Sequence, residues 1–261
     1  MTDSLVLRTD QNHVATLTLN RPDKFNALSD ALMSALEDML AEVAADKSVR
    51  VVVLAANGKA YCAGHDLKEI NEKNSRDEVE TLFAKCSRLM LAINRLPQPV
   101  IAKVHGIATA AGCQLVATCD LAVVSDQARF ATSGINVGLF CATPGVALSR
   151  NVPRKKAMEM LLSGDFIDAQ TALHFGLVNT VVLPDELDGA IDDMAARIVR
   201  HSPQAISMGK SLFYRQLESG LDGAYEKAVD VIVSNMVDAQ AHEGINAFVN
   251  KRPMPDWNER N

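Results

Sequence analysis

Apolar positions divide the chain into a first half of alternating strands and helices and a second half of helices. Ser4–Arg8 and Val14–Leu19 alternate or run apolar at strand length, and Gln11-Asn12 between them predicts a hairpin. Asn20–Leu28 is a polar, proline-bearing loop. Ser29 is placed to cap a helix in which Leu32, Met33, Leu36, Met39, Leu40 and Val43 recur at helical spacing. Val51–Ala55 is a continuous apolar run, the pattern of a strand covered on both faces. Glu78–Leu96 predicts a helix stopped before Pro97 and Pro99, followed by a buried strand over Val100–Val104. Gly112–Cys119 predicts a helix and Leu121–Ser125 another strand. This alternation implies parallel strands joined by right-handed crossovers.

Further along, Pro144–Asn151 and Pro153–Leu162 predict short helices, and Asp168 caps Ala169–Phe175, with Gly176 as its C-terminal glycine. Val178–Leu183 has the pattern of a late strand. Pro184–His201, Pro203–Ser219, Leu221–Ala239 and Ala241–Asn250 predict the remaining helices. No repeat or linker separates the halves, which gives an α/β core over residues 1–200 and a helical extension over 201–261. The extension carries Val229, Val231, Ile232, Val233 and Met236, more apolar surface than a solvated helix tolerates, and is expected to pack on another subunit.

Two stretches share one design. Val51–Leu54 leads to Tyr61-Cys-Ala-Gly-His-Asp-Leu67, and Val100–Val104 leads to Gly106-Ile-Ala-Thr-Ala-Ala-Gly-Cys-Gln-Leu115. Each is an apolar run, a turn of very small residues and a helix start. Small residues admit close approach to the backbone, and a helix start supplies unpaired N–H groups. Facing each other, the N–H groups of His65 and Ala111 could hold one oxygen, as in an oxyanion hole. Ordinary close-packed turns would use the same residue types, so the two readings stand side by side.

Composition narrows the partners. The chain has 261 residues, 48% of them hydrophobic and 22% charged, with a net charge of −6. Its Lys and Arg are scattered, which argues against nucleic acid, although a local basic pocket for a phosphorylated ligand remains compatible. Cys62, Cys86, Cys113, Cys119 and Cys141 are odd in number and lack C-x-x-C spacing, as expected of reduced thiols in a cytoplasm-like compartment. The N-terminus lacks the signal-peptide pattern, and the most apolar window, Gly106–Val124, is interrupted by Gln114 and Asp120. A cytoplasmic protein with neither membrane nor nucleic-acid partner is the expectation.

Seven segments carry a wider likeness. They are Asn20-Arg-Pro-Asp-Lys-Phe-Asn-Ala-Leu28, Ala63-Gly-His-Asp-Leu-Lys68, Val104–Leu115, Cys119-Asp-Leu-Ala122, Pro144-Gly145, Ala172-Leu-His-Phe-Gly-Leu-Val178 and Ala247-Phe-Val-Asn-Lys-Arg-Pro253. In this order they resemble the crotonase superfamily, also called the enoyl-CoA hydratase/isomerase family. The resemblance implies a spiral of ββα units around a parallel sheet, with C-terminal helices that trimerise and two trimers that stack to a hexamer. It implies an acyl-CoA thioester as substrate, with CoA part of that substrate and no separate cofactor. The oxyanion donors would be His65 and Ala111. Ala63, Lys24, Asp66, Leu67 and Lys68 match CoA-contacting segments, and Phe248 and Lys251 match tail residues that reach the nucleotide end. Taken singly, the three lysines read equally well as solvated surface residues, and Phe248 as an anchor of the tail on its own subunit.

Against that family's hydratase pattern the chain departs at two positions. The carboxylate of Gly-Cys-Glu-Leu is Gln114 here, and that of Phe-x-x-Pro-Glu-Ile is Gly134. Gln114 can hydrogen-bond but not exchange a proton at neutral pH. His65 could titrate near pH 7 as a substitute base, although such a side chain more often points toward solvent or the CoA chain. Cys141 lies in the acyl-pocket segment, either as an activated thiolate or, the commoner fate, as a buried inert thiol. His105 ends a strand and reads as structural, while His174 and His242 lack partners at metal-ligand spacing. Three readings follow: an acyl-CoA enzyme of the hydratase/isomerase type, a decarboxylase of malonyl-type thioesters, or a CoA-binding protein with little catalysis.

Overall fold

The computed structural model describes residues 4–73 and 75–258. β1 (Val6–Gln11) and β2 (Val14–Leu19) form the expected hairpin, the first strand lying two to three residues further along than its apolar pattern. α1 (Asp30–Ala45) starts where Ser29 Oγ accepts the Leu32 N–H. Three ββα units follow. The first is β3 (Val51–Ala56), β4 (Ala60–Cys62), α2 (Leu67–Glu72) and α3 (Arg76–Arg95). The second is β5 (Val100–Val104), β6 (Ile107–Thr109) and α4 (Ala111–Thr118). The third is β7 (Leu121–Ser125), β8 (Arg129–Ala131), α5 (Ala142–Asn151) and α6 (Arg154–Ser163). β9 (Ile167–Asp168), α7 (Ala169–His174) and β10 (Thr180–Val182) complete the core. α8 (Leu187–Val199), α9 (Pro203–Leu217), α10 (Leu221–Met236) and α11 (Ala239–Val249) follow.

Each ββα unit places its first strand in one sheet and its second strand in another. The larger sheet has the order β1-β2-β3-β5-β7-β10, parallel except for the hairpin, and the smaller has β4-β6-β8-β9, parallel except for β9. The spiral of ββα units around parallel strands is as expected, with the strands divided between two mixed sheets. β3 shows why its apolar run is unbroken. Val52 and Leu54 enter the main core, whereas Val51 and Val53 pack with Ile101 and Val123 against Leu187, Ile191 and Met194 of α8. The helix expected over Pro184–His201 is a 3-10 turn at Pro184–Glu186 followed by α8, and the last strand is shorter than its apolar pattern.

Buried polar groups tie the extension to this core. Asp120 Oδ2 accepts from Lys210 Nζ and from the Val100 N–H, each at 2.7 Å, and Oδ1 accepts from the Tyr214 hydroxyl at 2.7 Å. Lys210 Nζ also donates to Ile93 O and Gln98 O, so its ammonium is saturated although it is almost wholly buried. Arg50 donates to the carbonyls of Val199, His201 and Trp257, pinning the C-terminal segment beneath α8. Leu221, Tyr225, Val229, Ile232, Val233 and Met236 form an exposed apolar stripe on one side of α10. No helix among the described residues is long and apolar enough to cross a membrane, and no group of their His, Cys, Asp or Glu side chains could hold a metal ion.

Removing one member of a buried ion pair strands the other. Asp120→Ala is therefore expected to lower unfolding free energy by about 3–5 kcal/mol in urea titrations. Glu218→Ala, at the exposed pair with Arg150, should change it by less than about 0.5 kcal/mol.

Candidate active site

The two small-residue turns meet. Gly64 has φ +95°, and a Cβ there would stand 2.9 Å from Ala110 Cβ and 3.1 Å from Thr109 O. A Cβ on Gly112 would stand 2.1 Å from Cys62 O. Each turn therefore needs its glycine because the other turn's backbone occupies the space.

Between them lie two N–H groups without a carbonyl partner among the described residues. Leu28 makes a parallel bridge to His65, in which the Leu28 N–H donates to Gly64 O at 2.7 Å and the Asp66 N–H donates to Leu28 O at 3.2 Å. In that pattern the N–H of His65 itself turns away from Leu28. Ala110, at φ 51° and ψ −118°, sits in a conformation rare for a residue with a Cβ. It is held by its N–H donating to Ala131 O and its carbonyl accepting from the Gln114 N–H. That kink starts α4 at Ala111 with an unpaired N–H and the positive end of the helix dipole behind it.

The loop before α1 supports this arrangement. Asn26 is fully buried, and its amide accepts from the Arg21 N–H and donates to Asn57 O and Ala60 O. Arg21 pairs with Asp66 at 2.8 Å and donates to Ala27 O. Asp66 also caps α2 through the Lys68 N–H, and the Arg21 hydrogen bond holds its carboxyl below the usual range. Ala63 donates its N–H to Phe25 O.

A cavity of about 340 Å³ opens beside the turns. His65, Ala110 and Ala111 line it with Ser133, Gly134, Cys141 and Thr143, and Leu67, Ile70, Phe83, Val137, Leu139 and Phe140 give it apolar walls. No carboxylate of the described residues lines it. A wider groove between α9, α11 and Trp257 touches neither turn.

The side chains here are neutral. His65 meets the Phe83 ring edge-on at 5.0 Å, and burial pushes its imidazole down to about 4. This corrects the expectation of a base titrating near pH 7, because charging the ring would place an uncompensated cation against apolar walls. Burial likewise raises the Cys141 thiol, whose Sγ accepts the Gly134 N–H at 3.3 Å, so it is the inert thiol and not a thiolate. His105 Nε2 pairs with Gly58 O, away from the cavity.

Gly134 is closely confined. A Cβ there would lie 2.6 Å from Leu139 O and 2.8 Å from Cys141 Sγ, because the Leu139 N–H folds back to Gly134 O. Gln114 is buried in α4 with its Oε1 unpartnered, and it is not among the residues lining the cavity. Lys24 and Lys68 are exposed. Phe248, 78% exposed, at the end of α11 and Lys251 just past it are not among the residues lining the cavity. Sequence reasoning missed Arg21 and Asn26 as supports and Thr143 as a wall residue. Its nearest signal was the Asn20–Leu28 motif, which contains the first two.

Residues 9–260 match the model of the family described as enoyl-CoA hydratase/isomerase. The mitochondrial enoyl-CoA hydratase domain-containing protein 3 of Xenopus laevis is 43% identical over 97% of this chain and 86% of its own length. A crystal structure of an enoyl-CoA hydratase from Mycobacterium smegmatis superposes with a TM-score of 0.94 at 57% identity, covering 97% of this chain and 98% of that one. That of human enoyl coenzyme A hydratase domain-containing protein 3 gives 0.93 at 43% identity, covering 96% and 99%.

Two outcomes are expected from this geometry. A depressed imidazole pKa contributes stability that is present above about 6.5, the unfolded value, and is lost as pH falls toward 4. The stability advantage of the wild type over His65→Gln should therefore shrink between pH 7 and pH 4.5 in urea titrations. Gly134→Glu should lower stability by about 1–3 kcal/mol, the overpacking range, and should create no hydratase, read by urea titration and crotonyl-CoA absorbance.

Proposed function

The chain belongs to the enoyl-CoA hydratase/isomerase family, and from that premise we propose that it processes acyl-CoA thioesters, holding the thioester oxygen between the N–H groups of His65 and Ala111. The observation that carries this reading is the contact of the two turns, with both N–H groups unpaired beside one cavity. As a Cα bond breaks, negative charge moves onto the thioester oxygen. Two fixed donors and the start of α4 stabilise it there more than they stabilise the ground-state carbonyl. Lys24 and Lys68 contact the CoA moiety together with Ala63, Asp66 and Leu67, and Phe248 and Lys251 reach its nucleotide end. Those two tail residues are not in the lining of the cavity of their own chain, and in a homotrimer or dimer of trimers, closed through the apolar stripe of α10, they reach a neighbour's site.

Proton transfer is the weak half of this site. Gln114 and Gly134 take the places of the two hydratase glutamates, and neither exchanges a proton. Loss of positioned acid–base groups is worth about 10²–10⁴ in rate, so hydration should be slower by that order than in glutamate-bearing relatives.

The neutral cavity favours a second reading. Decarboxylation of a malonyl-type thioester needs no base, because the electron pair of the breaking C–C bond becomes the enolate as CO₂ leaves. Apolar walls disfavour the charged carboxylate but not CO₂, and the enolate charge passes to the two N–H donors until water protonates the carbon.

The purified protein would be given crotonyl-CoA, a 3-enoyl-CoA and methylmalonyl-CoA, with binding measured in parallel. Slow crotonyl-CoA hydration or 3-enoyl isomerisation is the result expected on the first reading, and CO₂ release on the second. Tight binding without turnover of any substrate would leave a CoA-binding protein and overturn both.

A further inference from the structure

Asn57 and Gly58 lie in the turn between β3 and β4 and are the only Asn-Gly pair in the chain. Both are exposed. Gly58 has φ +87°, and a Cβ there would stand 2.6 Å from Pro22 Cβ, so the fold demands glycine directly after Asn57. The Asn57 side chain donates through Nδ2 to Asn20 Oδ1 at 3.1 Å, and its backbone carbonyl accepts from Asn26 Nδ2 at 2.8 Å. The Gly58 N–H has no partner among the described residues.

An asparagine followed by glycine has a nucleophile built into the chain. The Gly58 nitrogen can close a five-membered ring on Asn57 Cγ, and the missing Gly58 side chain leaves that approach open. An N–H engaged with a carbonyl would first have to break that bond, and this one has none to break. Attack requires the amide to lose its proton, and the charge so formed spreads onto the Asn57 carbonyl oxygen. Asn26 Nδ2 already donates to that oxygen. A fixed donor at the atom where charge develops favours the charged form.

We propose that Asn57 is a deamidation site, converted without an enzyme to aspartate and isoaspartate, and that isoaspartate there loosens the support of the His65 turn. The Gly58 nitrogen bonds to Asn57 Cγ, the Cγ–Nδ2 bond breaks, and ammonia leaves with the proton that the nitrogen gave up. Water then opens the succinimide at either carbonyl, with no electron transfer. Opening at the former backbone carbonyl puts the Asn57 Cβ into the main chain and frees the α-carboxylate. The segment between Ala56 and Ala60 is then one methylene longer, while Gly58 is wedged against Pro22 and Ala60 O is the other acceptor of Asn26 Nδ2. Opening at the side-chain carbonyl gives aspartate, which loses the donor facing Asn20 Oδ1. Both outcomes hold whatever ligand the cavity takes.

The full-length protein would be incubated for weeks in warm, mildly alkaline buffer made with ¹⁸O water, beside a sample unfolded in guanidinium chloride, and both mapped by proteolysis and mass spectrometry. Residue 57 should take up ¹⁸O as aspartate and isoaspartate ahead of every other asparagine, and in the folded protein at least as fast as in the unfolded chain. The deamidated fraction, separated by its added negative charge, should melt roughly 2–4 °C below fresh protein, the shift from one lost hydrogen bond in a chain of about this length. Asn57→Ser, which removes the amide and keeps the backbone, should hold its Tm through the same incubation. An intact Asn57 in the folded protein, where the unfolded chain has reacted, would overturn the site. Deamidation with an unchanged Tm would overturn its coupling to the turn. If Asn57→Ser fails to fold, fresh against incubated wild type still decides.

Discussion

The site depends on the close approach of two backbones. Gly64 lies against Ala110 and Thr109, and Gly112 against Cys62, at separations that no other side chain permits. Everything else serves this contact. The paired strands β3–β5 and β4–β6 bring the two turns side by side, since each ββα unit gives one strand to each sheet. Asn26 and Arg21 fix the loop that orients His65, and the Ala131 carbonyl holds Ala110 in its kink. Two preorganised N–H donors result, and because they are backbone groups they need no reorganisation when charge develops.

Around those donors the site is electrically quiet. In many sites built for proton transfer, neighbouring charges and burial bring a group toward neutral pH. Here burial dominates and acts in the opposite sense, driving the His65 imidazole down and, against the Gly134 N–H, the Cys141 thiol up, so each stays uncharged near neutrality. The segment from Gly134 to Cys141 seals the wall with its own carbonyl and thiol. Two unpaired backbone donors thus stand beside an uncharged cavity, which on the proposed reading constrains the reaction more than the fold does.

Much of this was legible in the sequence where a pattern had length. β3 is an unbroken apolar run, β5 one interrupted only at Lys103, and β7 starts and ends at the residues its pattern marks. β4, β6, β8 and β9 have two or three residues each, too few for any period, so the second sheet was invisible to periodicity. The need for glycine at 64 could be read from the composition of the turn. The positive φ of Ala110 could not, because alanine carries no signature for it. The burial of His65 arises from Phe83 on α3, and the confinement of Gly134 from Leu139, both contacts that exist only after folding.

The central claim is that one thioester oxygen sits between two backbone donors, and the vibration of that carbonyl reports on it directly. Difference infrared spectroscopy with butyryl-CoA labelled with ¹³C at the thioester carbonyl would isolate its stretch in the bound state. Two N–H donors should weaken the C=O bond and shift the stretch to lower frequency than in water. A bound carbonyl stretch at or above its frequency in water would contradict the account.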